Sequence, residues 1–142
     1  MDKIQWCDRA LVKAILPYTL CTTEQLYKKA AAQLGHKSVT HNEWLGEGAA
    51  GQTRAFFKDD TPAVIIVTVA PTRNVTEAFL TVVHEAVHVW RYQKEAMGES
   101  APAVEEEAYA IESITRNLWS EYTRQVASKP KKKKTNDASR KS

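Results

Sequence analysis

Residues 74–98 read NVTEAFLTVVHEAVHVWRYQKEAMG, and no glycine or proline occurs between Asn74 and Gly98. Asn74 followed by Glu77 is a typical pair at the beginning of a helix, and Gly98 is a typical residue at which a helix ends. The stretch predicts one long helix, apolar over so much of its circumference that we expect it to be buried at the centre of the domain. The predicted apolar stripe comprises Phe79, Val82, Val83, Ala86, Val87 and Trp90.

Inside this helix, residues 84–88 form the motif His-Glu-Ala-Val-His. His84 and His88 are one helical turn apart, so both imidazoles project from the same face. Two neutral imidazoles at this spacing can chelate one Zn²⁺, and Glu85 can act as general base beside a metal-activated water. The motif therefore predicts a zinc site with His84 and His88 as ligands and Glu85 as the catalytic group.

A catalytic zinc usually has three protein ligands, so a third residue is needed. No histidine follows His88, which excludes the HExxHxxGxxH arrangement, and His36 and His41 precede the motif in a predicted loop. A carboxylate on the next helix, predicted from Pro102 or Ala103 to Val126, is the better candidate. The triplet 105–107, Glu-Glu-Glu, lies at the start of that helix, and an antiparallel return would carry it towards the histidines.

An HExxH motif followed by a glutamate on the next helix resembles the gluzincins, such as thermolysin. The similarity is closer to the small intracellular minigluzincins, with the HtpX-like and ImmA/IrrE-like peptidases as relatives. Several of these proteins carry the third ligand in an E-x-x-A-D pattern, and residues 105–109 here read Glu-Glu-Glu-Ala-Tyr. The resemblance implies Glu105 as the third zinc ligand, with Glu106 as the second choice. Tyr109 stands where the relatives have Asp or Asn, so Tyr109 and Glu112 are the candidates for supporting a ligand or the oxyanion.

The resemblance also implies the fold and the activity. It indicates a zincin-like α+β domain with Zn²⁺ as cofactor, in which a metal-activated water hydrolyses peptide bonds. In such proteins an extended peptide substrate pairs with an edge strand that precedes the motif helix. Residues 53–57 resemble that strand.

The remaining elements follow from local patterns. A first helix is predicted at about 5–16, and a second begins at Thr22 or Thr23, with Thr22 and Gln25 as a capping box. Residues 36–52 are rich in glycine and polar residues and predict an irregular segment. Residues 53–57 and 63–69 predict the two strands of an antiparallel hairpin. The fold class is therefore α+β, with N-terminal helices before the hairpin and two helices after it.

The chain has 142 residues, which fits one domain, predicted at 1–127. The formal net charge is +3, yet residues 129–142 contain seven Lys or Arg and a single Asp, so the rest of the chain is mildly acidic. Residues 128–142 are expected to be a disordered lysine-rich tail. Cys7 and Cys21 predict two reduced thiols, and the cytoplasm is the expected location. The most apolar stretch, 63–70, is too short to cross a membrane.

Other functions fit parts of this pattern. The lysine-rich residues 129–141 could contact nucleic acid non-specifically, which suggests a DNA-associated factor with a zincin fold, similar in role to the SprT-like proteins. A zinc-binding module without catalysis is a further alternative. The motif could also be two ordinary core histidines. A peptide or protein substrate, Zn²⁺ as the cofactor and no membrane partner remain the first interpretation.

Overall fold

The protein is described by a computed structural model that covers residues 3–7, 16–34, 44–58, 61–98 and 103–127. Three strands and three helices form its regular structure. In chain order they are β1 (Tyr18–Cys21), α1 (Glu24–Gln33), β2 (Gly51–Lys58), β3 (Thr61–Val69), α2 (Val75–Met97) and α3 (Val104–Ala127).

The three strands form one sheet in the order β1-β3-β2. β2 and β3 are an antiparallel hairpin, as predicted, whereas β1 pairs parallel to β3 and makes the sheet mixed. β1 was not predicted from the sequence. It is four residues long and all of them are buried, so it shows none of the alternation between polar and apolar residues that identifies a half-exposed strand.

Helices cover both faces of the sheet. Because side chains alternate along a strand, Ile65, Val67 and Val69 of β3 pack in the core that α2 and α3 share, while Ile66 packs on the other face against α1. The domain thus has three layers, with the sheet in the middle. The predicted α+β class is confirmed at this level.

Two buried glutamines complete the hydrogen bonding along the outer edge of β1. The Gln93 amide accepts from the Leu16 backbone N–H at 2.9 Å and donates to the Leu16 carbonyl at 2.7 Å. The Gln125 amide accepts from the Thr22 N–H at 2.8 Å and donates to the Leu20 carbonyl at 2.6 Å. Side-chain amides from α2 and α3 therefore take the place that a fourth strand would occupy.

In the middle of the same edge, the backbone of β1 pairs with the backbone of the N-terminal segment. Cys7 and Tyr18 exchange two hydrogen bonds, of 2.6 Å from the Cys7 N–H and 3.1 Å from the Tyr18 N–H. Residues 5–7 are therefore extended and not the start of the predicted helix, because Cys7 is drawn into a bridge with β1. The rest of that helix prediction, residues 8–15, lies outside the described residues.

The ends of the helices agree with the sequence in most details. The side chain of Asn74 accepts from the Glu77 N–H, and Gly98 ends α2 in the left-handed conformation, with φ of 71°. Thr23 caps the start of α1, and its hydroxyl accepts from the Leu26 N–H at 3.2 Å. Thr23 was one of the two predicted starts, whereas the predicted capping pair of Thr22 with Gln25 is wrong because Thr23 caps the helix.

The buried face of α2 differs from the predicted stripe. Val82, Ala86 and Trp90 are buried as predicted, but Phe79 and Val87 are exposed, by 41% and 39%. Polar residues occupy part of the buried side of α2. Other buried residues of α2 are Ala78, Glu85, Val89 and Gln93. The stripe is rotated because Glu85 and Gln93 have hydrogen-bond partners inside the protein.

The two cysteines carry free thiols. Burial and, to a smaller extent, the nearby Glu121 carboxylate together raise the pKa of the Cys21 thiol to about 12. The predicted tail, residues 128–142, lies outside the described residues. Within the described part of the chain, no helix combines the length and the apolarity that a membrane crossing requires.

We predict that Gln93→Leu lowers the free energy of unfolding by about 2–4 kcal/mol, because it leaves a buried N–H and a buried carbonyl of Leu16 without partners. Urea denaturation measures the change. Gln25→Leu, on the exposed side of α1, is the matched control and should alter stability by less than about 0.5 kcal/mol. Equal stability of the two variants would contradict the role assigned to Gln93.

Candidate metal centre

The two histidines of the motif face each other on one side of α2. Their Nε2 atoms are 3.3 Å apart, the ring centroids are separated by 5.0 Å, and the ring planes are inclined by 69°. His84 is exposed and His88 is half-buried. The sequence prediction that these rings converge is confirmed.

The separation fits two ligands of one metal ion. Zinc–imidazole bonds of about 2.0–2.1 Å at a tetrahedral angle place two ligand nitrogens about 3.3 Å apart. The same 3.3 Å between Nε2 atoms is also compatible with an N–H···N hydrogen bond between neutral rings. The donor chemistry suits zinc, and metal content distinguishes the two explanations.

Glu85 lies on the neighbouring side of α2 and faces the sheet. Glu85 as a whole residue is 4% exposed. The hydroxyl of Thr53, on β2, donates to Glu85 Oε1 at 3.1 Å and lies 3.4 Å from the Glu85 carbonyl oxygen. The carboxylate is therefore buried and has a defined hydrogen-bond donor.

Gly51 allows β2 to approach α2 closely. A Cβ added at Gly51 would lie 2.7 Å from Thr81 Cγ2, 3.2 Å from Glu85 Cγ and 3.3 Å from the Thr68 carbonyl oxygen. Any larger residue at this position would push against the helix turn that carries Glu85. Gly51 and Thr53 are thus part of the site, and neither was identified as a site residue from the sequence.

These elements enclose a cleft of about 320 Å³. One wall is the start of β2 and the other is the second and third turns of α2. The cleft is lined by Ala50, Gly51, Leu80, Thr81, His84 and Glu85. A larger cavity of about 540 Å³ lies between the N-terminal segment and α3, but no histidine lines it. The smaller cleft is therefore the one that combines a possible metal site with a buried carboxylate.

α3 returns antiparallel to α2, as predicted. Phe79 near the start of α2 contacts Trp119 with ring centroids 5.3 Å apart, and Lys94 near its end lies 3.6 Å from the Glu107 carboxylate. Lys94 is six residues beyond His88, or about 9 Å along the helix axis. The first turn of α3 is therefore beside the end of α2 and not beside the histidines.

The predicted third ligands lie in that first turn. Glu105 and Glu106 are exposed, and Glu107 forms the ion pair with Lys94. Among the residues that the structure describes, no group of three His, Cys, Asp or Glu is arranged to hold a metal ion. The structure brings His84 and His88 together, and Glu85 lines the same cleft as His84. The assignment of Glu105 or Glu106 as ligand stays a prediction.

The candidates for supporting a ligand or the oxyanion are on the outside of α3. Tyr109 is 54% exposed. Glu112 forms an ion pair of 3.1 Å with Arg116, one turn along the same helix. Neither residue lines the cleft. His36 and His41 lie outside the described residues.

We predict that Gly51→Ala destabilises the protein by about 1–3 kcal/mol, the usual cost of overpacking, because the new methyl group meets Thr81 and Glu85. Gly46→Ala is the control, since a Cβ there has its nearest contact at 3.7 Å. Urea denaturation compares the two variants. If Gly51→Ala were as stable as Gly46→Ala, the close packing of β2 against α2 would be disproved.

The comparisons with known proteins identify no relative. No protein-family model, curated protein or solved structure matches this chain significantly. The functional interpretation consequently depends on the motif and on the geometry of the cleft.

Proposed function

We propose that the protein is a zinc-dependent metallopeptidase in which His84 and His88 bind the metal and Glu85 is the general base. The observation that supports it best is the 3.3 Å separation of the two Nε2 atoms. His84 also lines the same cleft as the buried Glu85. Two ordinary core histidines would be buried, whereas His84 is exposed and lines the cleft.

Zinc bound by the two imidazoles would supply Lewis acidity, which lowers the pKa of a water ligand to about 7 and polarises a carbonyl group. Glu85 would take the proton of that water and pass it to the amine that leaves. Oε1 of Glu85 is held by Thr53. Proton transfer is therefore assigned to Oε2.

The sheet offers a place for the substrate. Among the strands that the structure describes, β2 is the last of the sheet, and its first residue, Gly51, lines the cleft together with His84 and Glu85. An extended peptide added to a sheet is held mainly through its backbone. The position of Gly51 favours the start of β2 as the part of the sheet that contacts an extended segment of a peptide or protein.

We propose Glu105 as the third ligand, with Glu106 as the alternative. Both are in the first turn of α3, which lies beyond the histidines along α2, so ligation requires this turn to shift towards His88 when metal binds. Metal binding can stabilise such a rearrangement because the energy of the new bonds adds to the stability of the domain. Such a shift would also separate Lys94 from Glu107, whose side chains are 25% and 35% exposed.

We expect the purified protein to contain one equivalent of zinc by mass spectrometry, and His84→Ala and His88→Ala to lose it. Glu85→Gln should keep the zinc but hydrolyse peptides at least about 100-fold more slowly, because it lacks the general base. Glu95→Gln changes an exposed acid on the same helix and serves as the control, with zinc content and activity equal to those of the parent.

Each contrary result has a distinct meaning. A parent protein without zinc would show that the histidines are joined by a hydrogen bond alone. Equal hydrolysis by the parent and Glu85→Gln would remove the proposed mechanism. Bound zinc with no hydrolysis of any peptide would identify a metal-binding module without catalysis.

Zinc titration of single variants identifies the third ligand. Glu105→Ala should weaken zinc binding by roughly tenfold or more, since even the loss of a residue that only supports a ligand weakens metal binding by about that factor. Glu106→Ala should bind zinc like the parent. Competition with a fluorescent chelator measures the dissociation constants. The opposite order would assign Glu106 as ligand, and no effect of either variant would exclude the first turn of α3.

A further inference from the structure

We infer that Thr53 is a positioning residue, which holds the Glu85 carboxylate in the orientation that its role as general base requires. This inference rests on the proposed function. It assigns a role in the reaction to β2, the strand that also forms one wall of the cleft.

The hydrogen bond is directed at the carboxylate. Thr53 Oγ1 is 3.1 Å from Glu85 Oε1 and 3.4 Å from the Glu85 carbonyl oxygen. A hydroxyl has one proton to donate, and the backbone carbonyl of a mid-helix residue already accepts a bond from the helix. The carboxylate is therefore the acceptor that depends on Thr53. Within the described ranges, no other residue hydrogen-bonds to it.

The surroundings of Glu85 make this single donor important. Glu85 is 4% exposed, so its carboxylate has little access to solvent that could replace a lost hydrogen bond. Side chains alternate along β2, and a Cβ added at Gly51 would lie 3.2 Å from Glu85 Cγ, so residues 51, 53 and 55 face α2. Gly51 and Ala55 offer no polar side-chain atom. Thr53 is the polar group that this face of β2 presents to Glu85.

The two carboxylate oxygens of Glu85 have different roles. Oε1 is fixed by Thr53, and Oε2 remains for the transferred proton. A carboxylate without this bond would rotate about its side chain and would be correctly oriented for a smaller fraction of time. Thr53 would then act on the chemical step and not on substrate binding.

The test compares Thr53→Val, which keeps the shape of the side chain but has no hydroxyl, with Thr53→Ser, which keeps the hydroxyl. Thr68→Val is the matched control, because Thr68 is a buried strand threonine whose hydroxyl donates to the Gln52 carbonyl at 3.3 Å and not to Glu85. Zinc content, kcat and KM for one peptide are measured for all variants and for the parent.

Thr53→Val should lower kcat roughly 10- to 100-fold, the range for losing a hydrogen bond to a charged group, with KM changed by less than about twofold. Thr53→Ser should recover most of the parental kcat. Thr68→Val should match the parent, and zinc content should be equal in all four proteins. Unchanged kcat in Thr53→Val, or an equal loss in Thr53→Ser, would overturn the inference.

A measurement without substrate separates this inference from the proposed function. In crystal structures of the parent and Thr53→Val, the Glu85 side chain should occupy one conformer in the first and more than one in the second. A single unchanged conformer in Thr53→Val would overturn the positioning role even if the protein were an active peptidase. Conversely, a parent that orders Glu85 through Thr53 but hydrolyses no peptide would reject the proposed function alone.

Discussion

The packing of α2 against the first residues of β2 determines every feature of the site. An α-helix advances by about 100° per residue, so Glu85 and its neighbour His84 point in different directions. With Gly51 and Thr53 beneath it, Glu85 faces the sheet, and His84 lines the cleft with its ring against that of His88. A rotation of α2 that buried the histidines would expose Glu85. The absence of a side chain at Gly51 is what allows the observed orientation.

Much of α2 and of the hairpin could be predicted because the signals are local. Asn74 and Gly98 mark the ends of α2, and β-branched residues mark β3. β1 could not be predicted, since its pairing with β3 joins segments more than forty residues apart and its four residues are all buried. The exposure of Phe79 and Val87 also escaped prediction, because apolar character alone does not show that Glu85 occupies a place in the core.

The residues of the site also divide into those that local sequence identifies and those that depend on long-range contacts. His84, Glu85 and His88 are identified by their spacing on one helix, which the sequence contains directly. Thr53 meets Glu85 across 32 positions of sequence, and that contact depends on the register of β2 against β3 and on the depth at which α2 packs. The position of the first turn of α3 depends in turn on where the chain resumes after α2. The contact and the position of this turn depend on how distant segments pack, and no short sequence pattern encodes them.

The β1 edge of the sheet is protected against further pairing. Along β1, amide groups of Gln93 and Gln125 occupy the hydrogen-bonding positions, so a second molecule finds no template there. These amides belong to α2 and α3, so a strand from another molecule could pair with β1 only after the helices had moved away. Aggregation through this edge is therefore prevented for as long as the domain is folded.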